Sequence, residues 1–174
     1  MTDQSYIVRK ALPSDLQTVR DMAQVVFRHT YRDILSAEQM EYMMDWMYSI
    51  GSLENQLSQG HTYYLAFRNS EPCGYVSLQP EGQDDDGVMV WHLHKIYVMP
   101  SEQGRGLGRM LFDRAVLHAR TESPSGPLRI ELNVNRNNPA VRFYEHLGMK
   151  RLRQGDFHIG GGFYMNDYIM GITF

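Results

Sequence analysis

Residues 91–119 read WHLHKIYVMPSEQGRGLGRMLFDRAVLHA, and this stretch decides the fold. Its first part, Trp91 to Val98, is rich in aromatic and β-branched residues and contains neither Gly nor Pro, which predicts a strand. Pro100 ends the strand because proline has no amide proton to donate to a ladder. Three glycines follow between residues 103 and 109, and apolar residues then recur at helical spacing, namely Leu107, Leu111 and Ala115. The stretch therefore predicts a strand, a glycine loop and a helix in direct succession.

A glycine loop between a strand and a helix is a common arrangement for binding an anion. The first amides of a helix have no partner within it, and the helix dipole favours negative charge there. Glycines allow the backbone to approach a phosphate closely, and Arg105 and Arg109 add positive charge. A P-loop is excluded because the loop has no Gly-Lys followed by Ser or Thr, and the dinucleotide fingerprint fails because Arg109 occupies its last glycine position. The spacing that remains is Q-x-x-G-x-G, from Gln103 to Gly108.

This spacing, with I-Y-V-M-P before it and a helix after it, resembles the cofactor loop of the GNAT family of N-acetyltransferases. The resemblance implies that acetyl-CoA is the co-substrate, with its pyrophosphate on the loop amides. It also implies that the pantetheine arm pairs with the backbone of the preceding strand. The cofactor-binding residues implied in this way are Ile96, Tyr97, Val98, Gln103, Gly104, Arg105, Gly106, Leu107, Gly108, Arg109 and Asn137.

A second block, NRNNPAVRFYEHLGM from Asn135 to Met149, resembles the family pattern N-x-x-A-x-x-F-Y-x-x-x-G-F, with Met149 in place of the usual Phe. The resemblance implies that Asn137 contacts the cofactor arm and that Tyr144 is the general acid. A phenol titrates near ~10, so it can hand a proton to the departing thiolate of coenzyme A. Asn138, directly before Pro139, is the expected cap of the helix that follows.

Two histidines stand in the strand that leads to the loop. His92 and His94 are two residues apart and are expected to share a face of the strand, which Ile96 and Val98 continue. An acceptor ammonium has no lone pair, and neutral imidazole is a natural acceptor for its proton. The H-L-H sequence resembles the pair in arylalkylamine N-acetyltransferases, where the histidines are assigned to proton removal. The alternative is that both histidines are wall residues, but we expect His92, His94 and Tyr144 to be the catalytic set.

The element pattern predicts a mixed α/β (α+β) fold in a single domain over residues 1–174. The resemblance implies a central, largely antiparallel sheet of about six to seven strands flanked by helices. Strands are expected at residues 6–9, 62–67, 73–78, 91–98, 128–134, 149–152 and 163–174. Besides the central helix, helices are expected after Pro13, after Ser36, near residues 53–57 and after Pro139.

The acceptor side is expected near the first two helices, because the resemblance implies that the segment between them borders the acceptor site. Tyr31 and Trp46 are therefore candidate acceptor-binding residues. The second helix carries a methionine stripe, which either packs the core or forms a deformable wall of the pocket. Cys73 has no histidine neighbour in sequence, so direct transfer in a ternary complex is favoured over a covalent acetyl-enzyme. No metal site is expected, because the histidines lack matching Cys or carboxylate spacing.

Composition and charge limit the kinds of molecule that the protein is expected to bind. The net charge of −3 gives no basic surface for nucleic acid. No apolar run approaches the ~20 residues that span a bilayer, and the N-terminal MTDQSY does not resemble a secretory signal. The single cysteine is compatible with a reducing cytoplasm. We therefore expect a cytoplasmic protein that binds a small-molecule amine and neither nucleic acid nor membrane, and a homodimer is left open.

The leading hypothesis is transfer of acetyl from acetyl-CoA to a primary amine of a small molecule. The final D-Y-I-M and the methionine-rich helix resemble polyamine or diamine acetyltransferases, whereas the histidine pair resembles the arylalkylamine enzymes. One alternative acceptor is a protein N-terminus or lysine. A different class is a non-catalytic acyl-CoA sensor, against which the presence of His92, His94 and Tyr144 argues.

Overall fold

The computed structural model describes residues 5–174. Residues 1–4, which contribute to the expectation of no secretory signal, lie outside the described range. The strands are β1 (Ile7–Lys10), β2 (Thr62–Arg68), β3 (Glu71–Gln83), β4 (Met89–Val98), β5 (Leu128–Asn135), β6 (Lys150–Gly160) and β7 (Phe163–Thr173). The α-helices are α1 (Leu16–Tyr31), α2 (Ala37–Tyr48), α3 (Ile50–Ser58), α4 (Leu107–Glu122) and α5 (Ala140–His146). Short 3₁₀ turns cover Pro13–Asp15 and Pro100–Glu102.

All seven strands form one sheet in the order β1-β2-β3-β4-β5-β7-β6. Each neighbouring pair is antiparallel except β4 and β5, which are parallel and are joined by α4 as the crossover helix. The expected mixed fold with a largely antiparallel sheet flanked by helices is confirmed. The parallel pair lies at the centre of the sheet, where the glycine loop connects β4 to α4.

The two central strands separate along their length. The parallel ladder between β4 and β5 joins Met89–His92 to Leu128–Glu131 and, among residues 5–174, ends there. β4 nevertheless continues to Val98 and β5 to Asn135. The strands therefore open a gap, and the β4 backbone from Leu93 onward has no strand partner on that side within the described chain.

A bulge at His94 changes which residues of β4 share a face. On the β3 side, Leu93 lies opposite Leu78 and Lys95 opposite Ser77, so His94 is an extra residue in β4. Trp91, Leu93 and Ile96 belong to the core that packs against α4, which requires the alternation to reverse at the bulge. The expectation that Ile96 and Val98 continue the face of His92 and His94 is therefore wrong. The physical reason is the inserted residue.

The sheet is covered on both faces. One core packs β-strand side chains against α4 and α5, and the other packs them against α1, α2 and α3. Met40, Met43 and Met44 are buried in the second core, so these methionines pack the interior. Ser36 begins α2 by accepting a hydrogen bond on its Oγ from the Gln39 amide at 3.1 Å, as the capping spacing predicted. These contacts hold the N-terminal helices above the free end of β4.

Two strands are longer than the sequence indicated. β3 extends to Gln83 and β6 to Gly160, beyond the expected ends at 78 and 152. The added residues of both strands are mostly exposed or half-buried, so apolar–polar alternation is weak there. Backbone pairing with the neighbouring strand extends them instead, and this pairing leaves little trace in side-chain composition.

Candidate active site

The gap between β4 and β5 is the mouth of a cavity of about 800 Å³. Its walls are the end of β4, the glycine loop, the first turn of α4, the end of β5, the start of α5 and the end of α1. Two sequence blocks that lie far apart in the chain therefore meet at one place. The expected site residues that line the cavity are Tyr31, His94, Ile96, Tyr97, Val98, Gln103, Gly104, Gly106, Leu107, Gly108, Arg109 and Tyr144.

The glycine loop presents open backbone to the cavity. Gly106 has φ of +84° and precedes the first residue of α4, a conformation that L side chains rarely adopt. A Cβ built on Gly106 would meet no atom within 4 Å, so the space above it is open. The first amides of α4 lie beside this space without intrahelical partners. The loop therefore has room, unpaired donors and the positive end of a helix, which together suit a phosphate group.

Gly108 serves a different purpose. A Cβ at this position would lie 3.0 Å from Cζ of Phe143, so the glycine permits close approach of α4 and α5. Phe143 and Tyr144 are adjacent on α5, and both line the cavity. The loop glycine thus helps to set where Tyr144 lies.

Tyr144 is 7% exposed and borders the cavity from α5. Burial, with a smaller contribution from Tyr31, raises the pKa of Tyr144 well above the ordinary value of a phenol. The hydroxyl therefore keeps its proton at neutral pH. A protonated phenol at a cavity wall is a hydrogen-bond donor, and because its pKa is raised it is a weaker acid than an ordinary phenol.

The two expected histidines occupy different places. His94 lines the cavity, where its Nε2 lies 3.1 Å from Gln79 Oε1 and its ring stacks on His61 at 4.4 Å. His94 is an exposed residue of β4, yet desolvation of its crowded ring, followed by the charges of His92, His61 and Lys95, lowers its pKa to about 3. His92 is not among the cavity-lining residues of the described chain; its Nδ1 lies 3.0 Å from Glu81 Oε1. The two rings are 4.5 Å apart, so His92 lies behind His94.

Of the residues expected to bind the acceptor or the cofactor arm, some line the cavity and others do not. Tyr31 is buried at the end of α1, and its hydroxyl accepts a hydrogen bond from Asn138 Nδ2 at 3.3 Å. Asn137 is exposed in the turn before α5 and does not line the cavity, whereas Asn138 is buried and does. Asn138 Oδ1 also accepts from the Ala140 amide at 2.9 Å, although Pro139, not Asn138, is the N-cap residue of α5. Trp46 is 46% exposed and lies away from the cavity lining.

Sequence reasoning did not identify Lys95, which is 6% exposed and adjoins the bulge. Its Nζ donates to Gln56 Oε1 at 2.8 Å and to the Tyr63 hydroxyl at 2.5 Å, and lies 4.5 Å from the centre of the Tyr48 ring. Burial lowers the pKa of Lys95 to about 7. No signal in the sequence indicated this, because the bulge that buries Lys95 arises from pairing with β3.

Glu102 is the second residue that sequence reasoning did not identify. It is 5% exposed, directly precedes the glycine loop and lines the cavity. In the sequence it reads as one polar residue among several, since its burial depends on Tyr6 and Arg68 from distant parts of the chain.

The single cysteine is buried. Burial raises the pKa of the Cys73 thiol to about 11, so the nucleophilic thiolate is disfavoured. Within residues 5–174, no group of three or more His, Cys, Asp or Glu side chains is arranged to hold a metal ion. In the same residues, no helix combines the length and the apolarity needed to cross a bilayer.

Comparison with known families adds a match over the residues that build the cavity. The model of the acetyltransferase (GNAT) family matches residues 21–149, which is most of the chain. This region includes the end of α1, the glycine loop and the second sequence block with Tyr144.

Solved structures share the fold over nearly the full chain. The PaiA N-acetyltransferase of Thermoplasma acidophilum, in complex with coenzyme A, has 21% identity and a TM-score of 0.74, with 98% of this chain and 99% of that chain covered. The ribosomal-protein-S18-alanine N-acetyltransferase of Escherichia coli has 16% identity and a TM-score of 0.68, with 97% and 94% covered. An Arabidopsis thaliana protein in complex with the bisubstrate analogue CoA-Ac-MVNAL has 17% identity and a TM-score of 0.65, with 98% and 99% covered. At these identities the likeness shows the fold.

Proposed function

The chain belongs to the acetyltransferase (GNAT) family and is an acetyl-CoA-dependent N-acetyltransferase, and we propose that its acceptor is a primary amine of a small molecule. One observation carries this proposal: the open glycine loop and the protonated Tyr144 line the same cavity, beside the free edge of β4. The reaction needs an anion site, an extended groove and a proton donor, and this cavity offers all three.

We propose that the pyrophosphate of acetyl-CoA binds the amides from Gln103 to Arg109. The pantetheine arm then lies along the β4 backbone from Ile96 to Val98 and pairs with it as an added strand would. Two features support this placement: the open space above Gly106 and the end of the β4–β5 ladder at His92. Asn138, which lines the cavity, is better situated for a contact with the arm than the exposed Asn137.

The chemistry assigned to the residues follows from their protonation. The neutral acceptor amine attacks the thioester carbonyl carbon, the carbon–sulfur bond breaks, and Tyr144 donates its phenolic proton to the departing thiolate. The nitrogen, which carries a positive charge after the attack, loses a proton as the amide forms, and that proton restores the phenol of Tyr144. Before attack, the acceptor ammonium must lose a proton. His94 borders the cavity and is neutral at neutral pH, so it can accept that proton, with His92 and the half-exposed Glu81 behind it. The low pKa of His94 makes it a weak base, and we expect it to hold the proton only transiently.

The charge and shape of the cavity wall favour an acceptor with one amine on an aromatic or apolar body. The lining carboxylates are Asp33 and Glu102, and Glu102 is already bonded to Arg68 and Tyr6. A polyamine needs several carboxylates for its several ammonium groups. Aromatic residues line much of the same wall, namely Tyr31, Tyr97, Phe143 and Tyr144. We therefore favour an arylalkylamine-like acceptor over a polyamine.

A panel of acceptors tests the proposal, with release of free thiol from acetyl-CoA as the readout. The panel contains arylalkylamines, polyamines, amino acids and short peptides with free N-termini, each beside its N-acetylated form as the matched control. We expect the highest kcat/KM with an arylalkylamine and no turnover of the acetylated controls. Preference for a peptide N-terminus would move the acceptor to a protein. Coenzyme A binding without turnover of any amine would contradict the enzymatic assignment and favour a sensor.

A further inference from the structure

A buried carboxylate lies where the glycine loop begins. Glu102 is the last residue of the 3₁₀ turn before Gln103, is 5% exposed, and lines the same cavity as the loop. It also lines a second cavity, of about 310 Å³. A negative charge beside a site for a negatively charged phosphate weakens binding, because like charges repel. A positively charged or hydrogen-bonding group beside Glu102 is therefore needed to offset its negative charge.

Two side chains from distant parts of the chain bind Glu102. Arg68, at the end of β2, lies with its Nη2 2.5 Å from Glu102 Oε1. The Tyr6 hydroxyl donates to Oε2 at 2.7 Å. Both carboxylate oxygens are therefore engaged, by partners 34 and 96 positions away in sequence. The hydrogen bond from Tyr6, then Arg68 and the charge of Arg105, lower the pKa of Glu102, so that it remains ionised.

We propose that Tyr6, Arg68 and Glu102 form a brace that positions the cofactor loop and neutralises the carboxylate at its entrance. These are positioning residues for acetyl-CoA. The brace fixes the residue that precedes Gln103, so the following loop amides face the cavity. Glu102 lines both cavities, and its hydrogen bonds to Tyr6 and Arg68 hold it in place. Arg68 removes the repulsion that Glu102 would otherwise exert on the pyrophosphate.

The inference rests on the proposed placement of the pyrophosphate on the loop. A variant that carries two substitutions can distinguish an electrostatic role of Arg68 from simple support of the fold. Arg68→Met leaves the Glu102 carboxylate without its guanidinium partner, so its repulsion of the pyrophosphate grows and coenzyme A affinity should fall by about tenfold or more. Glu102→Gln removes the charge that Arg68 neutralises. In the Arg68→Met/Glu102→Gln variant, the part of the lost affinity that comes from repulsion should therefore return, which loss of positioning alone would not produce.

The experiment compares the wild type, Arg68→Met, Glu102→Gln and the double variant. Calorimetry measures coenzyme A affinity, and steady-state kinetics give KM for acetyl-CoA and kcat at saturation. We expect Arg68→Met to raise KM while kcat at saturation changes much less. Arg151→Met is the matched control, because it breaks the exposed Arg151–Glu145 pair and should leave both constants unchanged. Unchanged affinity in Arg68→Met, or a double variant as weak as Arg68→Met, would overturn the brace.

Two further variants keep the test decisive. If Arg68→Met does not fold, Tyr6→Phe replaces it in the test, because it deletes only the hydroxyl that binds Glu102 Oε2. Tyr6→Phe should also weaken coenzyme A binding. Wild-type affinity in Tyr6→Phe would then overturn the brace. Gly106→Val puts a branched side chain into the space above the loop. If Gly106→Val keeps wild-type affinity, the pyrophosphate placement fails and the brace fails with it. If Gly106→Val weakens binding and Arg68→Met does not, the brace alone fails.

Discussion

At the scale of single residues, burial determines which proton transfers a side chain can perform. Tyr144 is held protonated by its buried position, so it can give a proton to a thiolate and does not act as a base at neutral pH. His94 is held neutral by its surroundings across the same range. The site therefore pairs a proton donor with an acceptor, and neither changes its charge near neutral pH.

Tyr144→Phe should reduce kcat by about 10²–10⁴-fold, because it deletes the acidic proton and keeps the ring that packs beside Phe143. Coenzyme A affinity, measured by calorimetry, should remain at the wild-type value. Tyr164→Phe is a suitable control, since Tyr164 is exposed and lies outside the cavity lining. A kcat of Tyr144→Phe equal to that of the wild type would mean that another group protonates the thiolate.

His94→Gln should lower kcat/KM, and the ratio of the wild-type value to the variant value should be nearly the same at every pH between about 5.5 and 8.5. An imidazole is a base only when neutral, and a pKa near 3 keeps His94 neutral throughout this interval. The histidine therefore contributes no rising limb near neutrality, unlike an imidazole with the unperturbed pKa of ~6.5. The pH profile of kcat/KM checks this, with the exposed His146→Gln as control. A wild-type limb near pH 6.5 that disappears in His94→Gln would contradict the prediction.

At the scale of secondary-structure elements, the approach of α4 to α5 connects the cofactor loop to the proton donor. The contact is possible because residue 108 has no side chain, and Phe143 occupies the space. Tyr144 is the next residue on α5. The spacing of the two helices therefore sets the distance between the cofactor loop and the phenol.

Gly108→Ala should destabilise the protein by about 1–3 kcal/mol and lower kcat, because the new Cβ would lie 3.0 Å from Phe143 Cζ and push α5 outward. The combined variant Gly108→Ala/Phe143→Leu removes the ring that clashes and should recover part of both losses. Chemical denaturation measures stability, and steady-state kinetics measure kcat. If the second substitution gives no recovery, the contact between the helices does not set the position of Tyr144.

At the scale of the whole molecule, Lys95 joins the central strand to the helices above it. Its Nζ donates to Gln56 on α3 and lies 3.4 Å from the Met47 carbonyl oxygen in the last turn of α2. A cation near a helix C-terminus is favourable, but burial of an ammonium without a carboxylate partner is costly. Burial lowers the folded-state pKa of Lys95 from 10.5 to about 7.

The stability of the wild type should therefore rise as pH increases from about 7 to 9, by up to about 1.4 kcal/mol per pH unit. In this interval the unfolded chain holds the Lys95 proton and the folded protein does not, so raising the pH favours folding. Lys95→Met should remove most of this slope, while Lys10→Met, a control on exposed β1, should keep it. Urea unfolding at several pH values gives the comparison. An unchanged slope in Lys95→Met would mean that the ammonium stays protonated in the folded protein.

Much of the fold and part of the site could be read from the sequence alone. The glycine loop, the helix after it and the block around Tyr144 are local patterns, because spacing, capping and turn preferences act between residues close in the chain. The largely antiparallel sheet flanked by helices was expected in the same way, through a resemblance carried by those local blocks. Ser36 as the cap of α2 belongs to the same class of short-range signal, and so does the hydrogen bond from the Ala140 amide to Asn138 at the start of α5.

Only the tertiary structure decided what depends on contacts between distant residues. The bulge at His94 comes from pairing with β3, and it separates Ile96 from the histidine face and buries Lys95. The brace on Glu102 joins residues up to 96 positions apart. The low pKa of His94 also comes from packing, since the desolvation of an ionisable group is set by everything folded around it. Such quantities belong to the packed chain, because no local spacing encodes which distant side chain will fill the neighbouring volume.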